Sequence, residues 1–217
     1  MSLSVLTIVR GRKLHLRNQF QGLLESASPP AEWIVVGMGE TPDVEGGGKF
    51  PIRIERISLD QDAPLPLAAA RNLAAQLAKS EGLLFLDVDC IPASDLIDGC
   101  QAALSEEAGL WMGSIGYLPP LATRWGWTFS YLDRISVAHP ALPEVAPGSR
   151  CHQADYCYFW SLCFAIPRRQ FWQIGGFDES FRGYGAEDTD FSFTCRKHGI
   201  PFGMLGHKAY HQRHANH

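Results

Sequence analysis

The sequence predicts an α/β protein with a mostly parallel sheet flanked by helices, and three observations carry that expectation. Short apolar, β-branched runs alternate with helical stripes from the start of the chain. The clearest helix, Ala-rich and lacking internal Gly or Pro, is followed at once by the apolar run Gly82-Leu83-Leu84-Phe85-Leu86. That order, strand then helix then strand, implies right-handed crossovers between parallel strands.

Ser2 to Val9 reads as a buried first strand that ends at Arg10-Gly11. Leu14 to Leu24 carries a loose helical stripe of Leu14, Leu16, Phe20, Leu23 and Leu24, stopped by Ser-Ala-Ser-Pro-Pro. Trp33 to Val36 is a second buried strand, and Thr41 to Lys49, with three consecutive glycines, is a loop. Ile52 to Ile57 alternates apolar and charged residues, as in a strand exposed on one face. Leu67 to Lys79 places Leu67, Ala70, Leu73, Ala74 and Leu77 on one side of a helix. The second half is less regular: a short strand around Leu110 to Ile115, an aromatic stretch Trp125 to Tyr131, a Pro-rich loop Pro140 to Pro147, and an apolar strand Tyr158 to Ile166. No internal repeat or linker divides the chain, so residues 1–217 read as one domain.

Composition narrows the function classes. With 46% hydrophobic and 19% charged residues the chain is an ordinary globular sequence. A formal net charge of −4 argues against a nucleic-acid partner. No run approaches the roughly 18 apolar residues of a membrane span, and Met1 to Arg10 lacks the pattern of a secretory signal. The six cysteines show no C-x-x-C spacing, which points to reduced thiols and a cytoplasmic setting. A peripheral place at the inner membrane face is compatible with this, and the oligomeric state is left open.

Asp87-Val88-Asp89 follows the buried run Gly82 to Leu86. Ligand sites in open α/β sheets lie beyond the carboxyl ends of strands, and strand residues two apart project to one side. Two hard carboxylates facing one point are what Mg²⁺ or Mn²⁺ uses while keeping positions for a diphosphate. The plainer alternative is a strand-end turn.

A second acidic cluster lies in Gly183-Tyr184-Gly185-Ala186-Glu187-Asp188-Thr189-Asp190, after Gly175-Gly176-Phe177-Asp178-Glu179. Carboxylates in a first helical turn are explained in part by the helix dipole. The surrounding glycines and aromatic side chains suit close approach to a sugar ring. A carboxylate on the pocket wall is able to take a proton from an attacking hydroxyl, provided burial offsets the dipole's downward pull on its pKa. Near the end, His207, His211, His214 and His217 crowd eleven residues. His211 or His214 is placed to complete a metal site, His207 to contact phosphate, and His217 reads as polar tail.

Taken in order, Ala70-Arg71-Asn72, Phe85-Leu86-Asp87-Val88-Asp89-Cys90, Gly175 to Glu179, Gly183 to Asp190 and His211-Gln212-Arg213-His214 resemble the GT-A fold glycosyltransferases. The likeness is to family 2 and to the galactosyltransferase and chondroitin-polymerase group. The resemblance implies a divalent metal, Mn²⁺ or Mg²⁺, held by Asp87, Asp89 and one of His211 and His214. It makes Arg71, Asp87 and Asp89 donor-binding, Tyr184 and Glu187 acceptor-binding, and Asp188 the catalytic base of an inverting transfer. The donor implied is a nucleoside-diphosphate sugar, UDP favoured, and the acceptor a saccharide or lipid-linked hydroxyl. The sequence departs from the family after the second strand, where Glu40 stands without an acidic neighbour. Two rival readings are a nucleotidyltransferase, for which Arg10-Gly11-Arg12-Lys13 is a faint basic loop, and a non-catalytic nucleotide- or carbohydrate-binding module.

Overall fold

A computed structural model describes residues 1–44 and 46–213. Strand β1 (Leu3–Val9) leads to helix α1 (Lys13–Leu24), then β2 (Glu32–Met38), β3 (Ile52–Ile57), helix α2 (Leu67–Leu77) and β4 (Gly82–Leu86). A short β5 (Cys90–Pro92), helix α3 (Leu96–Glu106) and the long β6 (Leu110–Tyr117) follow. The next segment holds α4 (Phe129–Ile135), β7 (Val137–Ala138), β8 (Arg150–Cys151) and a 3₁₀ turn at Tyr156–Tyr158. The chain closes with β9 (Cys163–Pro167), α5 (Arg168–Gln173), α6 (Glu187–Lys197) and β10 (Phe202–His211).

One sheet joins these strands in the order β3-β2-β1-β4-β9-β6-β10-β5, with β7 on β6 and β8 on β10. The first-half strands are parallel, as expected. The whole sheet is mixed, because β9 runs antiparallel to both β4 and β6. The cause lies where β9 begins: the Leu162 carbonyl accepts the Asp87 N–H at 2.9 Å. The chain thus re-enters the sheet at the carboxyl end of β4 and must run back along it. The expected strand Tyr158 to Ile166 accordingly splits. Its first residue, Tyr158, ends the 3₁₀ turn, residues 159–162 precede the strand, and Phe159 reaches the core from outside the sheet. An apolar run signals burial, not a backbone conformation.

Side chains alternate across the buried strands and build two large cores, with a smaller third cluster around Ile91, Leu132 and Tyr210. On β4, Leu83 and Phe85 face one core, Leu84 and Leu86 the other. The first core seats α2 and a phenylalanine cluster in which Phe85 stacks on Phe164 at 4.5 Å and Phe177 on Phe191 at 4.3 Å. The second packs α1 and α3 against the opposite face, with Phe20 stacked on Trp33 at 5.3 Å. Both faces being covered, the carboxyl edge of the central strands is where the fold leaves polar groups together.

Candidate active site

Strand β4 stops at Leu86 because Asp87 enters a turn, closed by the Cys90 N–H donating to the Asp87 carbonyl at 2.8 Å. Asp87 and Asp89 therefore sit in a turn between β4 and β5, and strand alternation does not set their direction. Tertiary hydrogen bonds do. Gln212 N–H donates to the Asp89 carbonyl at 2.7 Å, and Gln19 of α1 donates its carboxamide to the carbonyls of Asp87 at 2.8 Å and Cys90 at 2.9 Å. Gln19 is itself oriented by the Thr7 hydroxyl, which donates to it at 2.8 Å and accepts from the Trp33 indole at 3.0 Å. A largely buried polar chain of this kind favours one arrangement, since breaking a link such as Thr7–Gln19 leaves a desolvated group unpaired.

Arg71 lies in the middle of α2, 3% exposed. Its Nη2 donates to Asp87 at 3.1 Å and its Nη1 to Glu187 at 3.2 Å, while the guanidinium lies 5.3 Å from the centre of the Phe177 ring. Burial alone would lower its pKa, but the two carboxylates more than offset this and raise it, so Arg71 stays charged. Burial pushes the Asp87 carboxyl up to about 6 despite the pull of Arg71, and the like charge of Asp89 adds to the rise. The neighbouring Asn72 clamps the Gly-Gly-Phe segment. It accepts from Phe177 N–H at 2.9 Å and donates to the Phe177 carbonyl at 2.8 Å. A β-carbon on Gly176 would lie 2.6 Å from the Asn72 amide oxygen, so only glycine allows that approach.

Opposite the turn, α6 begins. Gly185, with φ of +115°, aims its N–H at the Glu187 carboxylate, 3.2 Å away. Glu187 is buried between that N–H and Arg71. Asp188 is half-buried and accepts the Thr189 N–H at 2.8 Å. Desolvation is the largest influence on its carboxyl and raises the pKa, with the Glu187 charge acting in the same sense against the backbone hydrogen bond. Tyr184 stands 77% exposed at the rim.

A cavity of about 350 Å³ brings these groups together: Arg71, Asp87, Asp89, Tyr184, Glu187 and Asp188 all line it. Sequence reasoning missed the rest of its wall. Arg10 and Arg12, noted only as part of a rival basic loop, line it from the β1–α1 connection, and Trp160 and Ser161 line it beside β9. Arg12 Nη1 lies 3.1 Å from Asp89 Oδ2. Glu40 accepts the Gly11 N–H and so ties that connection to the end of β2. The only local signal for Arg12 was its place after a strand-ending glycine.

His211, the last residue of β10, sets its Nε2 3.8 Å from Asp89 Oδ1 and its ring 4.9 Å from Tyr117. His214 and His217 lie outside the described residues. His207 does not line the cavity. Its ring lies beneath Gly99 of α3, where an added β-carbon would come within 2.2 Å, and its Nε2 is 3.9 Å from Asp95. Among the described residues no three metal-type side chains converge. Asp89 and His211 are one gathered pair of oxygen and nitrogen donors, a chemistry that fits a divalent ion such as Mn²⁺, and Asp87 lines the same cavity. All six cysteines are unpaired, and burial holds the Cys90 thiol well above its ordinary range, so the site offers no ready thiolate.

Comparison with known proteins agrees with this architecture. Residues 150–217 match the model of the N-terminal domain of galactosyltransferase. Validoxylamine A glucosyltransferase of Streptomyces hygroscopicus subsp. jinggangensis is 29% identical over 208 aligned residues, covering 80% of this chain and 46% of the relative. Its counterpart from subsp. limoneus is 28% identical, with 80% and 43% covered. The chain thus spans a little under half the length of these curated relatives. Staphylococcus aureus TarS 1–349 in complex with UDP-GlcNAc superposes with a TM-score of 0.69 at 14% identity, covering 100% of this chain and 60% of that one. GalNAc-T7 with UDP, GalNAc and Mn²⁺ superposes at 0.68 with 16% identity, covering 100% and 44%. Likeness of fold across the whole chain and likeness of sequence to two glucosyltransferases point the same way: the chain has the GT-A fold of the superposed structures and is similar in sequence to glucosyltransferases.

Proposed function

We propose that this domain transfers one sugar from a nucleoside-diphosphate sugar to an acceptor hydroxyl, with inversion at the anomeric carbon. The carrying observation is that Asp188, with its raised carboxyl pKa, shares one cavity with the Asp87–Asp89 turn and two arginines of the β1–α1 connection. A UDP-sugar is the favoured donor, supported by the UDP and UDP-GlcNAc complexes of the superposed structures.

In the reaction Asp188 accepts the proton of the acceptor hydroxyl. The oxygen attacks the anomeric carbon, and the bond from that carbon to the diphosphate oxygen breaks with its electron pair leaving on the diphosphate. Positive charge grows on the sugar ring as in glycoside hydrolysis. Arg10 and Arg12 offset the negative charge of the leaving group, and Arg71 holds Asp87 and Glu187 in register beneath it. Glu187 and Tyr184 bound the side from which the acceptor enters. Asp89 and His211, with Asp87 beside them, are the residues to hold a divalent ion, which when bound supplies Lewis-acid stabilisation of the leaving diphosphate.

The test is UDP release from UDP-glucose and UDP-GlcNAc in the presence of Mn²⁺, with and without sugar acceptors. The expected result is slow donor hydrolysis by the wild type that an acceptor accelerates. Pyrophosphate formation from UTP and a sugar phosphate would instead establish nucleotidyl transfer, and binding without turnover would leave a binding module.

A further inference from the structure

Beside the cavity, the segment that follows β6 presents two large apolar side chains to solvent: Leu121 is 70% exposed and Trp125 88% exposed. The exposure belongs to an anchored segment. Between and after these residues Thr123 and Trp127 point inward and are buried. The Thr123 hydroxyl donates to the Gln212 carboxamide at 3.3 Å, and the Trp127 indole donates to Asn18 at 3.3 Å. Leu121 holds a left-handed φ of +64°, unfavourable for a branched side chain. The fold therefore holds this loop with its apolar residues outward.

The surroundings are basic although the chain as a whole is acidic. A groove of about 230 Å³ is lined by Leu14, Leu121, Arg124 and Arg213, with no acidic residue among the described residues that line it. Leu14 also borders an adjoining cleft with Lys13 and Arg17, where Asp43, the one acidic residue among the described lining residues, is engaged by Lys13 at 2.6 Å. The Arg124 guanidinium sits 4.9 Å from the Trp125 ring centre. Against a net charge of −4 for the sequence, this is a local concentration of cations around an apolar tip.

We propose that this face docks on an anionic lipid bilayer. Trp125 and Leu121 enter the headgroup region, where an indole finds both apolar and polar surroundings. Arg124, Arg213 and Arg17 meet the negative lipid phosphates. Stable attachment to a membrane takes two signals, and an apolar tip with a basic rim supplies both. This face adjoins the proposed catalytic cavity: Lys13 of the adjoining cleft follows the cavity residue Arg12, and Arg213 of the groove stands two residues beyond His211, which faces Asp89. Docked in this way, the cavity lies beside the lipid, and the acceptor class becomes a hydroxyl carried on a lipid. That last step rests on the transferase reading; the docking itself does not.

Co-sedimentation with vesicles of mixed phosphatidylglycerol and phosphatidylcholine tests the proposal, with pure phosphatidylcholine vesicles as control. The wild type should pellet with the anionic vesicles only, and release at about 1 M salt, where screening shortens to about 3 Å. Arg124→Gln should weaken binding roughly fivefold, the worth of one surface cation, and Leu121→Ser with Trp125→Ser should abolish it. Both variants should keep the wild-type circular dichroism spectrum and the wild-type rate of UDP release in solution. Absence of binding to anionic vesicles, or undiminished binding by the serine variant, would overturn the proposal. So would sedimentation showing a dimer that the serine variant dissolves, since a second copy would then cover the face. Vesicle binding without any UDP release would defeat the transferase reading and leave the docking surface standing.

Discussion

Arg71 and Glu187, 116 positions apart in the chain, meet at 3.2 Å in the protein interior, and the same guanidinium holds Asp87 at 3.1 Å. One buried cation thereby fixes the relative positions of the two acidic clusters that face the cavity. Removing it leaves two enclosed carboxylates without compensation. Arg71→Met should cost about 3–5 kcal/mol, the range for breaking a buried ion pair. Arg71→Lys should recover only part, because a point charge does not reproduce a two-pronged fork. Urea unfolding of the three proteins checks this; a Met variant of wild-type stability would show the bridge to be dispensable.

Asp188→Asn should lower turnover by about 10²–10⁴-fold, the usual worth of a general base, while UDP affinity measured by calorimetry stays near wild type. A variant that loses nucleotide affinity in proportion to rate would assign Asp188 to donor binding.

The pH dependence follows from the direction of the Asp188 shift. In the proposed reaction Asp188 works deprotonated, and desolvation raises its pKa, so the acid limb of kcat/KM should lie above the ordinary value of an aspartate. Stability runs the opposite way. A raised folded pKa means the folded state binds the proton more tightly, so the contribution to stability is present at low pH and lost as pH rises through the folded value. Asp188→Asn should therefore melt no lower than wild type at neutral pH, and its residual activity should lack that limb. Thermal melts across pH, paired with rate profiles, read both.

Gln19 supports the Asp87–Asp89 turn from beneath. Gln19→Leu removes the donor shared by the Asp87 and Cys90 carbonyls and the acceptor of the buried Thr7 hydroxyl; the Asp87 carbonyl keeps the Cys90 N–H, and the cost should be about 1–3 kcal/mol for a buried group left unpaired. The variant should also need more Mn²⁺ for half-maximal UDP release. If stability falls while the Mn²⁺ requirement is unchanged, Gln19 supports the fold without positioning Asp87 and Asp89.

Chelation should suppress UDP release and Mn²⁺ should restore it. Asp89→Ala and His211→Ala should each shift the Mn²⁺ titration to higher concentration, His211→Ala by about 10-fold or more if the imidazole is a direct ligand. Metal-independent release by the wild type would remove the ion from the mechanism.

Much of this was legible in the sequence where physics is local. The strand Gly82–Leu86 and the helix beginning at Leu67 stand where periodicity and propensity put them. Asp87 and Asp89 could be recognised because two carboxylates after a buried strand are costly without compensation; the cluster at Glu187 to Asp190, which the helix dipole explains in part, was marked out by the glycines and aromatic residues around it. What escaped depends on contacts between distant segments. Gln19 reads as one polar residue in an ordinary helix until the turn at Asp87 is seen against it. Trp160 looks like core, yet it borders the cavity because β9 reverses direction. Arg12 has no motif of its own, and its partner Asp89 is 77 positions away. The turn at Asp87 to Asp89 shows the same limit in reverse: the residues were singled out by a strand argument, whereas tertiary hydrogen bonds orient them.

A crystal structure with UDP and Mn²⁺ bound tests the central claim most directly. The account predicts the diphosphate and the ion against Asp89 and His211, with Arg12 moved or shared onto the phosphates and Asp188 facing the space left for the sugar. Nucleotide bound elsewhere, for example in the groove beside Leu121, with the Asp87–Asp188 cavity open to solvent, would contradict it.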